Sequence, residues 1–320
     1  MVMRLPLSLV SPAGTRGRLS ILIFHRVLAC HDPLAPDVPN ADEFEAQMRW
    51  VRTWFNVVEL NRAVDMLFAG TIPARAMAIT FDDGYADNEE IAAPILRRLG
   101  MSATFFVSTG YLAGGCMWND RVIEAIRGCE SGTIDLSSIG LAHYDLSTLV
   151  RRREAIGSLL EAIKHLEPAR RQSATDDIVS IARGGTTPAL MMVPQQVRNL
   201  RTMGMGVGAH TVTHPILTRL GLEAARDEMA RSKEELEKIL GERVDLFAYP
   251  NGVPGQDYAA EHVRMARQCG FGAAVSTAWG AASMRSDRFQ LPRFTPWDRT
   301  RLRYGARLVA NLGRSEQTAA

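Results

Sequence analysis

Short apolar runs alternate along this chain with longer stretches whose apolar residues recur every three to four positions. That alternation restricts the fold more than any other feature, because it is the sequence form of repeated βα units and a parallel sheet covered by helices. Strands are predicted at Leu19–Phe24, Asn56–Glu59, Ala76–Phe81, Ala103–Val107, Met205–Ala209, Val244–Tyr249 and Gly272–Ser276. Between them, Phe44, Met48, Val51 and Phe55 mark one helical stripe, and Ile91, Ile95 and Leu99 mark another that Gly100 stops. Pro194 opens a helix that Gly204 closes, and Leu222–Leu240 is a long charged helix ending at Gly241. From about Gly110 to Pro188 the rhythm gives way to helical patterns at Asp120–Arg127, Leu146–Leu166 and Ala169–Ile181. This stretch reads as a helical insertion, expected to lie where it can cover a binding face.

With 320 residues, 46% of them apolar, the chain can bury a large core, and one elaborated α/β domain is expected. A net charge of +2 argues against a general polyanion binder. Cys30, Cys116, Cys129 and Cys269 form no C-x-x-C pair and read as scattered, reduced residues. Pro6 interrupts the apolar stretch in Met1–Val10 and no cleavage site follows, so no signal peptide is read and a cytoplasmic location is expected. No later apolar run approaches the roughly 20 residues that cross a bilayer.

Chemistry-bearing residues collect at the predicted strand ends. Asp82-Asp83-Gly84 follows Ala76–Phe81, which places two carboxylates at the C-terminal end of a strand, where parallel α/β folds build their sites. Alone, Asp-Asp-Gly reads more readily as a turn or a helix cap. His210-Thr-Val-Thr-His214 follows Met205–Ala209, and its spacing lets two imidazoles converge on one ion. Pro215 disfavours a helix there, and the lack of a Glu at 211 excludes the zincin H-E-x-x-H motif. Phe247-Ala-Tyr-Pro-Asn-Gly252 closes a third strand with a corner able to aim a backbone N–H at a ligand. Ile21-Leu-Ile-Phe-His25 and Leu291-Pro-Arg293 end in titratable or charged residues in the same way.

Through Thr80–Gly84, His210–His214 and Phe247–Gly252, the chain resembles the polysaccharide deacetylases of carbohydrate esterase family four, the NodB-homology domain. The resemblance spans roughly residues 19 to 296. It implies a distorted (β/α) barrel of about seven parallel strands, preceded by an N-terminal segment, 1–18, and followed by a basic tail, 297–320. It also implies a hydrolase of non-peptide C–N bonds that removes N-acetyl groups from amino sugars, with Asp82 as general base. Asp83, His210 and His214 would be ligands of one divalent ion, Zn²⁺ or alternatively Co²⁺ or Ni²⁺, and the backbone N–H of Tyr249 would face the oxyanion. Elementary chemistry agrees: a three-ligand zinc keeps a position for water and the acetamide carbonyl, and an adjacent carboxylate takes the proton.

Two positions depart from the common family pattern. The Arg that often tethers the base is replaced by Asp245, and Arg293 is nominated instead. The late histidine that serves as acid in many members has no counterpart, since His262 falls on a predicted helix. Ile23-Phe-His-Arg-Val27 instead resembles the first strand of the circularly permuted poly-N-acetylglucosamine deacetylases, which makes His25 the general acid. His143 and His165 lie in the insertion and His31 in a Pro-rich loop, so none of them competes for the role.

The expected substrate is an N-acetylated saccharide of a polysaccharide or its cytoplasmic or lipid-linked precursor. Peptidoglycan or chitooligosaccharide deacetylation and O-acetyl ester hydrolysis are the alternatives within hydrolases. A non-catalytic carbohydrate-binding scaffold would be expected to have lost Asp82 or a ligand, and a non-haem Fe(II) oxygenase orders its two-His, one-carboxylate set differently. Residues 285 to 314 carry eight Arg against Asp287 and Asp298, a formal +6 that suggests peripheral membrane association. A solvated terminal helix is the simpler reading of the same run.

Overall fold

The computed structural model describes residues 4–183, 188–295, 297–314 and 317–319. Met1–Met3 of the N-terminal segment, 184–187 of the insertion and 315, 316 and 320 of the tail lie outside the described residues. The strands are β1 Leu19–Phe24, β2 Asn56–Val57, β3 Ala76–Phe81, β4 Thr104–Val107, β5 Thr133–Asp135, β6 His143–Asp145, β7 Gly206–Ala209, β8 Leu246–Ala248 and β9 Ala273–Val275. The helices are α1 Arg4–Val10, α2 Ala41–Trp54, α3 Leu60–Phe68, α4 Ala93–Arg98, α5 Trp118–Gly128, α6 Leu149–Lys164, α7 Pro168–Ala182, α8 Pro194–Thr202, α9 Leu222–Leu240, α10 Ala260–Gln268 and α11 Arg301–Leu312.

Seven strands form one parallel sheet in the order β1-β3-β4-β7-β8-β9, and β2 pairs with the first two residues of β3. The sheet curls until its ends are joined by the segment 291–294. Leu291 bridges Val275 of β9 and Phe294 bridges Leu22 of β1, both in parallel. The distorted (β/α) barrel is therefore the architecture, and its closing element is a stretch of chain too short and irregular to count as a strand.

Strand side chains alternate between two buried environments, as a period of two requires. Leu19 and Ile21 of β1, Ala76 and Ala78 of β3, Phe106 of β4 and Val275 of β9 fill the interior, where Leu60, Val64 and Leu67 of α3 pack against them. Leu22, Phe24, Ile79, Phe81, Phe105 and Phe247 point outward under the helices. Continued past the strand ends, the inward row contains His25, Asp82 and His210. Three motifs therefore deliver their functional groups to the same mouth of the barrel. Gly208 lies on this row because a Cβ there would come within 2.5 Å of the Phe106 ring.

Local chemistry explains where elements begin. Asn40 and Glu43 cap the start of α2 reciprocally, side chain to backbone. The strand predicted over Asn56–Glu59 stops at Val57, because Glu59 turns its carboxylate onto the N–H groups of Asn61 and Arg62 and caps α3. The helix predicted from Leu146 begins at Leu149, since Asp145 accepts from the Ser147 N–H in a turn and Thr148 takes the cap. Ahead of it the insertion contains the antiparallel hairpin β5–β6, which periodicity did not reveal. With α5, α6 and α7 the hairpin encloses a separate apolar core that includes Val122, Ile126, Leu136, Leu159 and Ile178.

The chain ends belong to the main core, where Leu7 of α1 and Tyr304, Leu308 and Leu312 of α11 are buried. The basic run over 285–314 does not form one surface. Arg288 pairs with Asp65, Arg293 with Asp82, Arg299 with Glu43 and Arg307 with Asp298. Among the described residues half of its arginines are thus matched by carboxylates, and one of those pairs lies inside the barrel.

Candidate active site

Asp82 continues the inward row of β3 and is almost fully buried, yet it remains a carboxylate with a partner. Arg293 donates to it from both ends of the fork, Nη1 to Oδ1 at 2.6 Å and Nη2 to Oδ2 at 2.7 Å. The guanidinium is itself 0% exposed. It is fixed by Nε donating to the Ser276 carbonyl at 2.9 Å, by Nη1 donating to Thr80 Oγ1, and by the Phe106 ring 5.5 Å away. Burial pushes the Asp82 pKa up, but the Arg293 charge and hydrogen bonds outweigh it and hold the carboxylate below its usual range. Arg293 is the residue that pairs with Asp82, and Asp245 does not. Asp245 stands at the other end of β8, paired with Arg243.

Asp83 turns the opposite way on a left-handed backbone, φ 78°. Thr211 (65°), His214 (54°) and Asn251 (59°) share that unusual conformation, so four of the six described non-glycine residues with positive φ surround this site. Such strain persists only where surrounding contacts over-determine the backbone. The contacts are present. Thr109 and Gly110 donate their N–H groups to the carbonyls of Thr211 and Val212. Glu228 of α9 accepts from the N–H groups of Val212 and Thr213 at 2.8 Å each, and from the Thr213 hydroxyl at 2.7 Å.

The result is a set of three donor atoms facing one another. Asp83 Oδ1 lies 3.5 Å from His210 Nε2 and 3.3 Å from His214 Nε2. Atoms placed tetrahedrally about 2.0–2.1 Å from one ion would stand about 3.3 Å apart, so the spacing matches a metal better than it matches direct hydrogen bonds. Asp83 Oδ1 is buried and has no hydrogen-bond partner. His210 Nδ1 lies 2.8 Å from the Ala248 carbonyl, which assigns its proton to Nδ1 and leaves Nε2 free to ligate. Burial lowers the His214 pKa to about 4, so that ring is neutral at ordinary pH. The residues present fit a divalent ion.

His25 stands exposed at the end of β1 and lines the cavities on both sides of Asp83, one of about 490 Å³ and one of about 270 Å³. Its strand end is held by Asn88, which donates to the His25 carbonyl, and by Asp87, which pairs with Arg26. The Tyr249 N–H is a correction to expectation. It donates to the Val275 carbonyl in the sheet, and the side chain is buried with its hydroxyl bonded to Phe289 O, so no donor from Tyr249 reaches the cavity. The residue the corner presents is Asn251, which lines the larger cavity and whose N–H has no partner among the described residues.

Other contributors were not visible in the sequence. Glu228 is one acid among many on a charged helix. Tyr85 and Asp120 form a buried pair next to the site, the hydroxyl donating to the carboxylate at 3.0 Å. His165, set aside because it falls in the insertion, lines the larger cavity together with Lys164 and Arg171. His262, by contrast, caps its own helix through the Ala259 N–H, as a structural histidine does.

The sequence profile of the family described as polysaccharide deacetylase matches residues 69–274. The chain belongs to this family. It is accordingly a hydrolase of the polysaccharide deacetylase type. YxkH of Bacillus subtilis, whose name places it among polysaccharide deacetylases, is 23% identical over 279 residues, covering 87% of this chain and 71% of that protein. The Streptococcus pyogenes deacetylase PplD, solved in complex with acetate, superposes with a TM-score of 0.59 at 20% identity, over 87% of this chain and 92% of that one. IcaB from Ammonifex degensii gives 0.59 at 18% identity, over 92% and 98%. At these identities the two structures establish the shared fold.

Proposed function

We propose that this deacetylase hydrolyses the acetamide of an N-acetylated amino sugar, in a polysaccharide or its precursor, at the mouth of the barrel domain spanning residues 19–296. The observation that carries the reading is the triad of facing donor atoms beside a carboxylate locked by Arg293. Asp83, His210 and His214 would hold a divalent ion such as Zn²⁺, which when bound would polarise the acetamide carbonyl and make water easier to deprotonate. Asp82, ionised throughout the neutral range and fixed in direction, takes the proton of the attacking water. The Asn251 N–H faces the developing oxyanion. His25 delivers a proton to the departing amine, which an amide requires because an amine anion leaves very poorly.

The protein as purified is expected to carry about one divalent metal per chain. Chelation should abolish deacetylation of an N-acetylglucosamine oligomer, and Zn²⁺ or Co²⁺ should restore it. Full activity in chelator, with no metal above trace by elemental analysis, would sink the reading.

A cytoplasmic or lipid-linked precursor is the substrate we favour over a finished wall polymer. Fractionation of cells for the protein and for deacetylated precursor tests that choice. Peripheral attachment to an anionic bilayer remains a reading for the tail arginines that meet no carboxylate among the described residues, and salt-sensitive co-sedimentation with anionic vesicles tests it.

A further inference from the structure

Helices α6 and α7 bring Lys164, His165 and Arg171 to the cavity of about 490 Å³ that also contains Asp83 and His214. Arg171 is 6% exposed, and among the described residues it meets no carboxylate. Of its five N–H donors, only Nη1 has a hydrogen-bond acceptor, the Lys164 carbonyl at 3.5 Å, the outer limit for such a bond. The guanidinium otherwise rests 5.0 Å over the Trp118 ring. Burial works against its charge. Lys164 is half-buried and also has no carboxylate within ion-pair distance among the described residues.

The acids nearby leave Arg171 without a carboxylate partner among the described residues. Glu161 is exposed at the cavity edge, and Asp83 is committed to the donor triad. Asp257 accepts the Val253 N–H and is attracted to Lys164 and His165, so it offsets part of their charge but meets Arg171 nowhere among the described residues. A largely buried cation whose free donors open onto a cavity is a ready place for a ligand of opposite charge.

We propose that this cavity holds an anionic group of the sugar substrate, a phosphate or a carboxylate, against Arg171, Lys164 and His165. The planar fork of Arg suits either oxyanion. The proposal rests on the deacetylase reading and narrows it: the acetylated sugar carries, or lies next to, a negative charge. The insertion is then the specificity element and the barrel the catalytic one.

The test is binding to metal-free protein, which removes the ion as a competing anion site. N-acetylglucosamine 1-phosphate, an N-acetylated aminouronic acid and neutral N-acetylglucosamine are titrated calorimetrically. Wild type should bind at least one anionic sugar about tenfold or more tightly than the neutral one, as charge-assisted hydrogen bonds imply. The tighter of the two anions identifies the group. Arg171→Met and Lys164→Gln should remove the preference, and Arg171→Lys should keep part of it. Arg171→Met should also melt no lower than wild type, because it relieves an unpaired buried charge.

Equal binding of neutral and charged sugars, no binding of either anion, or an Arg171→Met variant that melts lower yet keeps the preference would overturn the proposal. Deacetylation of neutral oligomers without anion preference sinks this inference alone. Anion preference without any deacetylation sinks the functional reading instead.

Discussion

Arg293 makes four hydrogen bonds in complete burial, two of them to Asp82, and that concentration of contacts distinguishes it from the other arginines of its basic run. Lysine keeps the charge but cannot donate from two parallel positions. Arg293→Lys should therefore lower kcat by roughly 10- to 100-fold and reduce thermal stability while metal content is unchanged, because the ligands are separate residues. Loss of metal together with activity would mean that Arg293 supports the ligand loop rather than the base. His25 makes a sharper prediction. His25→Asn should cost roughly 10²–10⁴-fold in kcat on an N-acetyl substrate but far less on an activated acetyl ester, whose leaving group needs no proton. Equal losses on both would show that His25 has some other role, and strong ester activity in wild type would favour the O-acetyl esterase reading. At this scale the sequence was largely readable. His25, Asp82 and His210 stand just past strand ends, where the period of two carries side-chain direction across each end; Asp83 turns away on its left-handed backbone, and Arg293 comes from the closing segment 291–294. Tyr249 was misread because the corner around Pro250 shifts the free N–H to Asn251, and only the sheet pairing of Tyr249 reveals it.

Helix α9 braces the ligand loop through Glu228, whose two oxygens take three hydrogen bonds from Val212 and Thr213. Outer contacts of this kind fix ligand orientation, and their loss commonly weakens metal binding by 10- to 100-fold. Glu228→Gln retains the shape but replaces one accepting oxygen with an amide that cannot accept. Its metal dissociation constant, measured by competition with a chromogenic chelator, should rise within that range, and an unchanged constant would show the brace to be incidental. Strands β1 and β3 and helix α9 were legible to the residue because strong apolar patterns and capping residues bound them. The hairpin β5–β6 was not, since three-residue strands with exposed alternate positions leave no period to detect. The partners of Glu228, Arg171 and Asp120 are set by how helices pack on the barrel, which a linear pattern does not encode.

For the whole molecule, the join between insertion and barrel has a titratable seam. Asp120 of α5 is buried against Tyr85, and burial raises its pKa to about 7 from 3.8. Between these values the folded chain retains a proton that the unfolded chain has released, so this group makes stability fall as pH rises from about 4 to 7, after which the penalty is constant. Asp120→Asn still accepts from the Tyr85 hydroxyl and carries no charge. Its stability relative to wild type, measured by denaturation of metal-free protein, should grow by up to about 2–3 kcal/mol between pH 5 and pH 8. A difference that stays flat with pH would show that Asp120 is ionised throughout.

The closing segment 291–294 has a consequence in time. Asp82 and Arg293 lie 211 residues apart, and the carboxylate is synthesised long before the guanidinium. A nascent chain synthesised as far as the ninth strand already contains Asp82, Asp83, His210 and His214, but Asp82 has no partner in Arg293 and the ring is open. Closure of the ring must wait for the segment 291–294 to emerge and settle between the first strand and the ninth. On the proposed function, a chain cut short before residue 291 keeps Asp83, His210 and His214 but loses the guanidinium that fixes the direction of Asp82.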